Sequence, residues 1–133
     1  MKILLLGGSG FLGSHVADQL SLAGHEVRIF DKLASPWLRA EQTMLIGDLL
    51  NFQHLADAMV GCEVVYNFAA IADLDEALHK PVETARVNVF GNVQVLEACR
   101  QAGVKRYVYA STVYVYSREG GFYRCSKQAA EQY

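Results

Sequence analysis

The stretch Lys2-Ile3-Leu4-Leu5-Leu6-Gly7-Gly8-Ser9-Gly10-Phe11-Leu12-Gly13 decides the fold. Its apolar start, Lys2 to Leu6, reads as a buried strand. Gly7 to Gly10 reads as a turn. Phe11 to Ala23 then has helical spacing, with Leu12, Val16 and Leu20 on one face, and Gly24 stops the helix. The glycines fit both G-x-G-x-x-G and G-x-x-G-x-x-G, and they stand between a strand and a helix, the context that gives the pattern meaning. Glycine there permits a tight turn and lets the backbone approach a pyrophosphate, while the helix N-terminus offers unpaired N–H groups to the anion. An ordinary βα turn would also use glycine.

Outward from this stretch, short β-rich runs alternate with helical ones. Val27–Phe30 reads as a second strand, Met44–Ile46 as a third, Val64–Phe68 as a fourth and Tyr107–Ser111 as a fifth. Asn51 is placed to cap a helix reaching about Met59. A helical segment starts near Asp73 and is interrupted at Lys80-Pro81. Pro81 suits the first turn of a new helix running to Ala102 and ending at Gly103. Gly120-Gly121 reads as a loop before a last helix near Phe122. Strands separated by helices imply parallel pairing with right-handed crossovers. The expected fold is a doubly wound α/β sheet, a Rossmann fold of strand order 3-2-1-4-5. Its ligand cleft should lie between the carboxyl ends of the first and fourth strands.

Composition narrows the class. The 133 residues amount to one domain; 52% are hydrophobic and 20% charged, which excludes a disordered chain. The formal net charge of −2 argues against a dedicated nucleic-acid binder. Residues 1–103 carry seven Lys and Arg against twelve Asp and Glu, whereas residues 104–133 carry five against two. That asymmetry suits either solvated faces or an anionic ligand near the C-terminal third. Cys62, Cys99 and Cys125 are far apart and lack metal-ligand spacing, so no metal site is expected and they read as reduced thiols of a cytoplasmic protein. No run is long enough for a membrane span or a signal peptide's apolar region.

Several polar residues fall at the strand ends where chemistry belongs. Asp31 closes the second strand, 18 residues after Gly13. A carboxylate there accepts hydrogen bonds from ribose hydroxyls and repels a 2′-phosphate, favouring NAD over NADP. Lys32 beside it weakens that preference, since a cation tolerates the phosphate; a strand-end turn residue is the plainer reading of Asp31. Asp48, after the third strand, is a candidate adenine contact or a loop residue. Tyr123 and Lys127 stand four apart on one helical face. A lysine ammonium near a phenol stabilises the phenolate, lowering its pKa from ~10 and making it a usable acid or base. The pair also occurs by chance. Ser111 and Thr112 follow the fifth strand, where a hydroxyl can orient a reacting oxygen or satisfy a turn.

With these residues assembled, the sequence resembles the extended short-chain dehydrogenase/reductase family, in its NAD-dependent sugar epimerase/dehydratase branch, along essentially its whole length. The matching pieces are Gly7 to Gly13, Phe30-Asp31, Gly47-Asp48-Leu49, Asn67-Phe68-Ala69-Ala70, Asn88-Val89-Phe90-Gly91, Ser111-Thr112 with Val115-Tyr116, and Tyr123-Arg124-Cys125-Ser126-Lys127. The resemblance implies that Gly7, Gly10, Phe11, Leu12 and Gly13 hold the pyrophosphate. It implies that Asp31 and Lys32 lie at the ribose, and that Asp48 and Leu49 flank the adenine. Phe68, Ala69 and Ala70 would line the cofactor cleft, with Ser111 nearby, and Asn88 would sit in the long helix near the active-site lysine. Tyr123 would be the acid/base and Lys127 its partner, also bonding the nicotinamide ribose; the catalytic hydroxyl position falls on Thr112. The implied substrate is a nucleotide-sugar, oxidised by hydride transfer to NAD.

Two departures stand out. The chain stops at Tyr133, without the smaller C-terminal substrate domain of the resembled family, so residues 1–133 are expected to be its NAD-binding part. The last helix is short, which bears on the homodimer that the long helix would support. Only six residues separate Tyr116 from Tyr123, where the family usually has a longer loop, and Ser117 replaces a usual glycine. The expected activity is therefore that of an epimerase or dehydratase cofactor half, binding NAD but turning over poorly alone. A reductase acting on a steroid, flavonoid or aldehyde, and a non-catalytic NAD sensor, are the alternatives.

Overall fold

The computed structural model describes all residues, 1–133. Strands β1 (Lys2–Leu6), β2 (Glu26–Asp31), β3 (Thr43–Ile46), β4 (Val64–Asn67) and β5 (Arg106–Tyr109) form one parallel sheet of order β3-β2-β1-β4-β5. Helices α1 (Phe11–Leu22), α2 (Phe52–Met59), α3 (Leu74–His79), α4 (Pro81–Ala85), α5 (Gly91–Ala102) and α6 (Gly121–Glu131) make the crossovers and flank the sheet. The sheet order is the one that alternation of strands and helices predicts.

Side chains of β1 alternate between two cores, as strand geometry requires. Leu4 and Leu6 join Phe30, Val65, Leu55, Met59, Val95 and Cys99 on the α2–α5 side. Ile3 and Leu5 join Val27, Ile29, Val64 and Ala17 on the α1 side. Both faces of the central strand are therefore buried, which explains why it reads as an unbroken apolar run.

The end signals act as their chemistry dictates. Asn51 caps α2, its side-chain oxygen accepting from the Gln53 and His54 N–H groups at 3.0 and 3.3 Å. Asp73 caps α3 through the Glu76 N–H at 2.8 Å. Pro81 opens α4, and Gly103, in the left-handed region at φ +69°, closes α5.

Four expectations need correction. β4 ends at Asn67 rather than Phe68, whose N–H bonds the Leu6 carbonyl at the edge of the turn. β5 ends at Tyr109 rather than Ser111, because its ladder to β4 finishes with Asn67 opposite Tyr109 and one further bond from the Ala110 N–H to the Asn67 carbonyl. The chain then turns into a short 3₁₀ segment, Val113–Tyr116, that the sequence reading does not contain. The long helix is not continuous either: a π-helical turn, Arg86–Phe90, separates α4 from α5. That wider turn brings consecutive residues, Val87 and Asn88, both to the buried side. On α1 the buried residues are Gly13 and Ala17, flanked by Val16 and Leu20, whereas Leu12 is 54% exposed. The helix is held close to the sheet by small residues, and Leu12 faces the cleft.

Candidate functional site: a cleft at the carboxyl ends of the strands

A cleft of about 730 Å³ opens at the carboxyl ends of the strands, with the β1 and β4 turns at its centre. Its first wall is main chain. Gly7 has φ +75°, and a Cβ there would lie 2.6 Å from the Ala69 nitrogen. A Cβ at Gly13 would lie 2.4 Å from the Gly7 carbonyl oxygen, so glycine lets α1 seat directly on the turn. Gly10 differs. Its φ of −76° suits any residue, and a Cβ would meet only the Gly7 oxygen, at 3.4 Å. Neither backbone strain nor packing accounts for that glycine. It borders the cleft at the start of α1, where no side chain caps the first turn and Phe11, Leu12 and Gly13 also line the wall. First-turn N–H groups lack intrahelical partners, so this corner offers donors and free space to an anion.

Asp31 and Lys32 form the next wall. The Asp31 carboxylate is fixed by main chain: Oδ2 accepts from the Ser9 N–H at 3.0 Å and Oδ1 from the Lys32 N–H at 2.7 Å. The Lys32 ammonium pairs with Asp48 Oδ2 at 3.4 Å. Leu49 lines the cleft; Asp48, half-exposed beside it, is outside the lining, its Oδ1 accepting from the Leu50 N–H at 2.9 Å.

The floor is the β4 turn, with Phe68, Ala69 and Ala70 in the lining. Two asparagines set its shape. Asn67 Oδ1 accepts from the Ala69 N–H at 3.1 Å. Buried Asn88 grips the Ile71 main chain from both sides: Oδ1 accepts from its N–H at 2.8 Å and Nδ2 donates to its carbonyl at 2.9 Å. Asn88 Nδ2 also lies 3.0 Å from Ser126 Oγ on α6. Asn88 is therefore behind the floor rather than in the cleft, and the π-helical turn is what aims it there.

At the far end stand Ser111, Tyr123 and Lys127. Lys127 is only 3% exposed; its ammonium donates to the Ala110 carbonyl at 2.7 Å and lies 4.6 Å from the Tyr109 ring centre and 5.7 Å from that of Tyr123. Burial pulls its pKa down from 10.5 to about 8. Ser111 Oγ is engaged by Glu131 Oε1. Thr112 does not line the cleft; its hydroxyl caps the 3₁₀ turn, accepting from the Tyr114 N–H at 3.3 Å.

Of the residues singled out from sequence, all line this one cleft except Asp48, Asn88 and Thr112. Sequence reasoning missed Glu76, Lys80 and Glu83, which line its α3–α4 rim, with Lys80 paired to Glu76 at 2.9 Å. The i,i+4 spacing of Glu76 and Lys80 is visible in the sequence, but nothing local shows that the three face the cleft. It also missed Ala110, whose carbonyl holds Lys127, and the buried network joining Asn67 Nδ2 to the Tyr107 hydroxyl at 2.8 Å and that hydroxyl to Asn92 Oδ1 at 2.5 Å.

The chain is similar to known proteins in sequence and in fold. A UDP-glucose 4-epimerase of Klebsiella pneumoniae is 35% identical over 128 residues, covering 87% of this chain and 92% of that protein. A 3-beta-hydroxysteroid dehydrogenase of Mycolicibacterium neoaurum is 36% identical over 116 residues, covering 86% of this chain and 32% of that protein. Among solved structures, the UDP-glucose 4-epimerase of Thermus thermophilus in complex with NAD superposes with a TM-score of 0.89 at 31% identity, covering all of this chain and 49% of that one. The chain thus spans about half of the Thermus enzyme and about a third of the Mycolicibacterium one. Residues 3–133, which include every wall of the cleft, match the family described as "Epimerase: NAD dependent epimerase/dehydratase family", and the chain belongs to that family.

Proposed function

We propose that this chain binds NAD in the cleft and serves as the cofactor-binding part of a nucleotide-sugar epimerase or dehydratase. The observation that carries the reading is the union in one cleft of an anion corner built around Gly10, a fixed carboxylate at Asp31 and the Tyr123–Lys127 pair. The residues fit the dinucleotide. Phe11, Leu12 and Gly13 supply N–H groups for the pyrophosphate. Asp31, already holding two main-chain N–H groups, keeps lone pairs for a ribose hydroxyl. Bound NAD supplies a hydride acceptor.

The chemistry at the other end belongs to side chains. Tyr123, ionised to the phenolate, would take the proton of the substrate hydroxyl as the carbon bearing it loses hydride, and would return it in the reverse step. Lys127, its ammonium 5.7 Å from the Tyr123 ring centre, would stabilise that oxygen's charge and hold a ribose hydroxyl. Thr112, whose hydroxyl accepts from the Tyr114 N–H and keeps its own proton to donate, would orient the substrate oxygen, with Ser111 beside it in the lining.

The Mycolicibacterium relative favours a second reading, a dehydrogenase with a steroid alcohol as substrate. The NAD-loaded chain should be offered a UDP-hexose and a 3β-hydroxysteroid, each with wild type and Tyr123→Phe. Conversion of the UDP-hexose, lost in the variant, supports the proposal. Net build-up of reduced nicotinamide with the steroid alone selects the second reading.

A further inference from the structure

Beside the Asp31 carboxylate lies a cation that could welcome what Asp31 repels. Lys32 lines the cleft next to Asp31, and its side chain is 54% exposed, free to swing towards a phosphate on the adenosine ribose. It is not unpaired. Its ammonium sits 3.4 Å from Asp48 Oδ2, and Asp48 is held by the Leu50 N–H on its other oxygen at 2.9 Å. Asp31 cannot turn away to make room, since main-chain N–H groups of Ser9 and Lys32 grip both its oxygens. A 2′-phosphate arriving here would meet two carboxylates and one lysine already committed to one of them.

We infer that Asp48 is a specificity-determining residue for NAD over NADP, acting by holding Lys32 in an ion pair and so withholding it from a 2′-phosphate. The inference rests on the reading of the cleft as a dinucleotide site. It assigns Asp48 a role that needs no contact with the adenine. The pair is half-exposed, so its effect is modest and weakens with salt.

The experiment measures dissociation constants of NAD and NADP by calorimetry for the chain, for Asp48→Asn, for Lys32→Met and for the double variant. Asparagine keeps an oxygen for the Leu50 N–H, so the loop survives and only the charge is lost. The expected result is that Asp48→Asn narrows the preference for NAD by about fivefold, and that the double variant shows no such narrowing. Raising the salt concentration should shrink the difference between wild type and Asp48→Asn. An NADP-to-NAD ratio unchanged in Asp48→Asn, or changed equally with and without Lys32, overturns the inference while the cleft reading stands. A wild-type chain that binds neither nucleotide overturns both.

Discussion

The two ends of the cleft are built from different materials. The end formed by β1, α1 and β2 is main chain: glycines at 7, 10 and 13, an uncapped helix start, and one carboxylate locked by N–H groups. The end formed by β4, β5 and α6 is side chain: Lys127 buried against a single carbonyl, Tyr123 on the same helix face, Ser111 and Thr112 on a loop. A main-chain site is rigid and indifferent to chemistry, so it suits binding. A side-chain site carries burial cost and exchangeable protons, so it suits reaction.

Substitutions should separate the two ends. The largest effect is expected from Tyr123→Phe, which should cut turnover by about 10²–10⁴-fold while leaving NAD affinity and thermal stability near those of wild type. Loss of NAD binding in that variant would show that the ends are not separable. Next is Gly7→Val, where a side chain must occupy φ +75° and lie 2.6 Å from the Ala69 nitrogen. It should destabilise the fold by about 3 kcal/mol or more, read as a fall in denaturation midpoint.

Lys127 gives a pH signature. Its folded pKa, about 8, lies below its ordinary 10.5, so between those values the unfolded chain binds more protons. Its contribution to stability therefore rises as pH rises through that window, and below about 8 the buried charge is a full penalty. Melting curves of Lys127→Met and wild type should differ most in the variant's favour near pH 7, and the difference should shrink towards pH 10. A difference independent of pH would mean that the ammonium is better solvated than its burial implies. The smallest effect is expected from Asn51→Ala, about 1 kcal/mol of stability from the lost α2 cap, with no change at the Tyr123 end.

The same contrast explains what could be read from sequence. The glycine turn and Asp31 were legible because their meaning is local: a strand, a turn and a helix follow one another within a few residues. The caps at Asn51 and Asp73 belong to the same class. The end of β5, the engagement of Ser111 by Glu131, and the Lys32–Asp48 pair were not legible. Each depends on a partner distant in sequence: Asn67 for β5, Glu131 for Ser111, Asp48 for Lys32. The π-helical turn was hidden for a related reason. Its residues carry ordinary helical signals, and what sets the turn apart, the grip of Asn88 on Ile71, is made across 17 residues of sequence.

The most direct test of the cleft as a dinucleotide site is a calorimetric titration of the chain and of Gly10→Val with NAD. The backbone at Gly10 suits any residue and a Cβ there meets only the Gly7 carbonyl oxygen, at 3.4 Å, so the variant should fold as wild type does. The account predicts saturable one-site binding to the chain and its loss in Gly10→Val. Equal isotherms for the two proteins, or no binding by a folded wild-type chain, would contradict it.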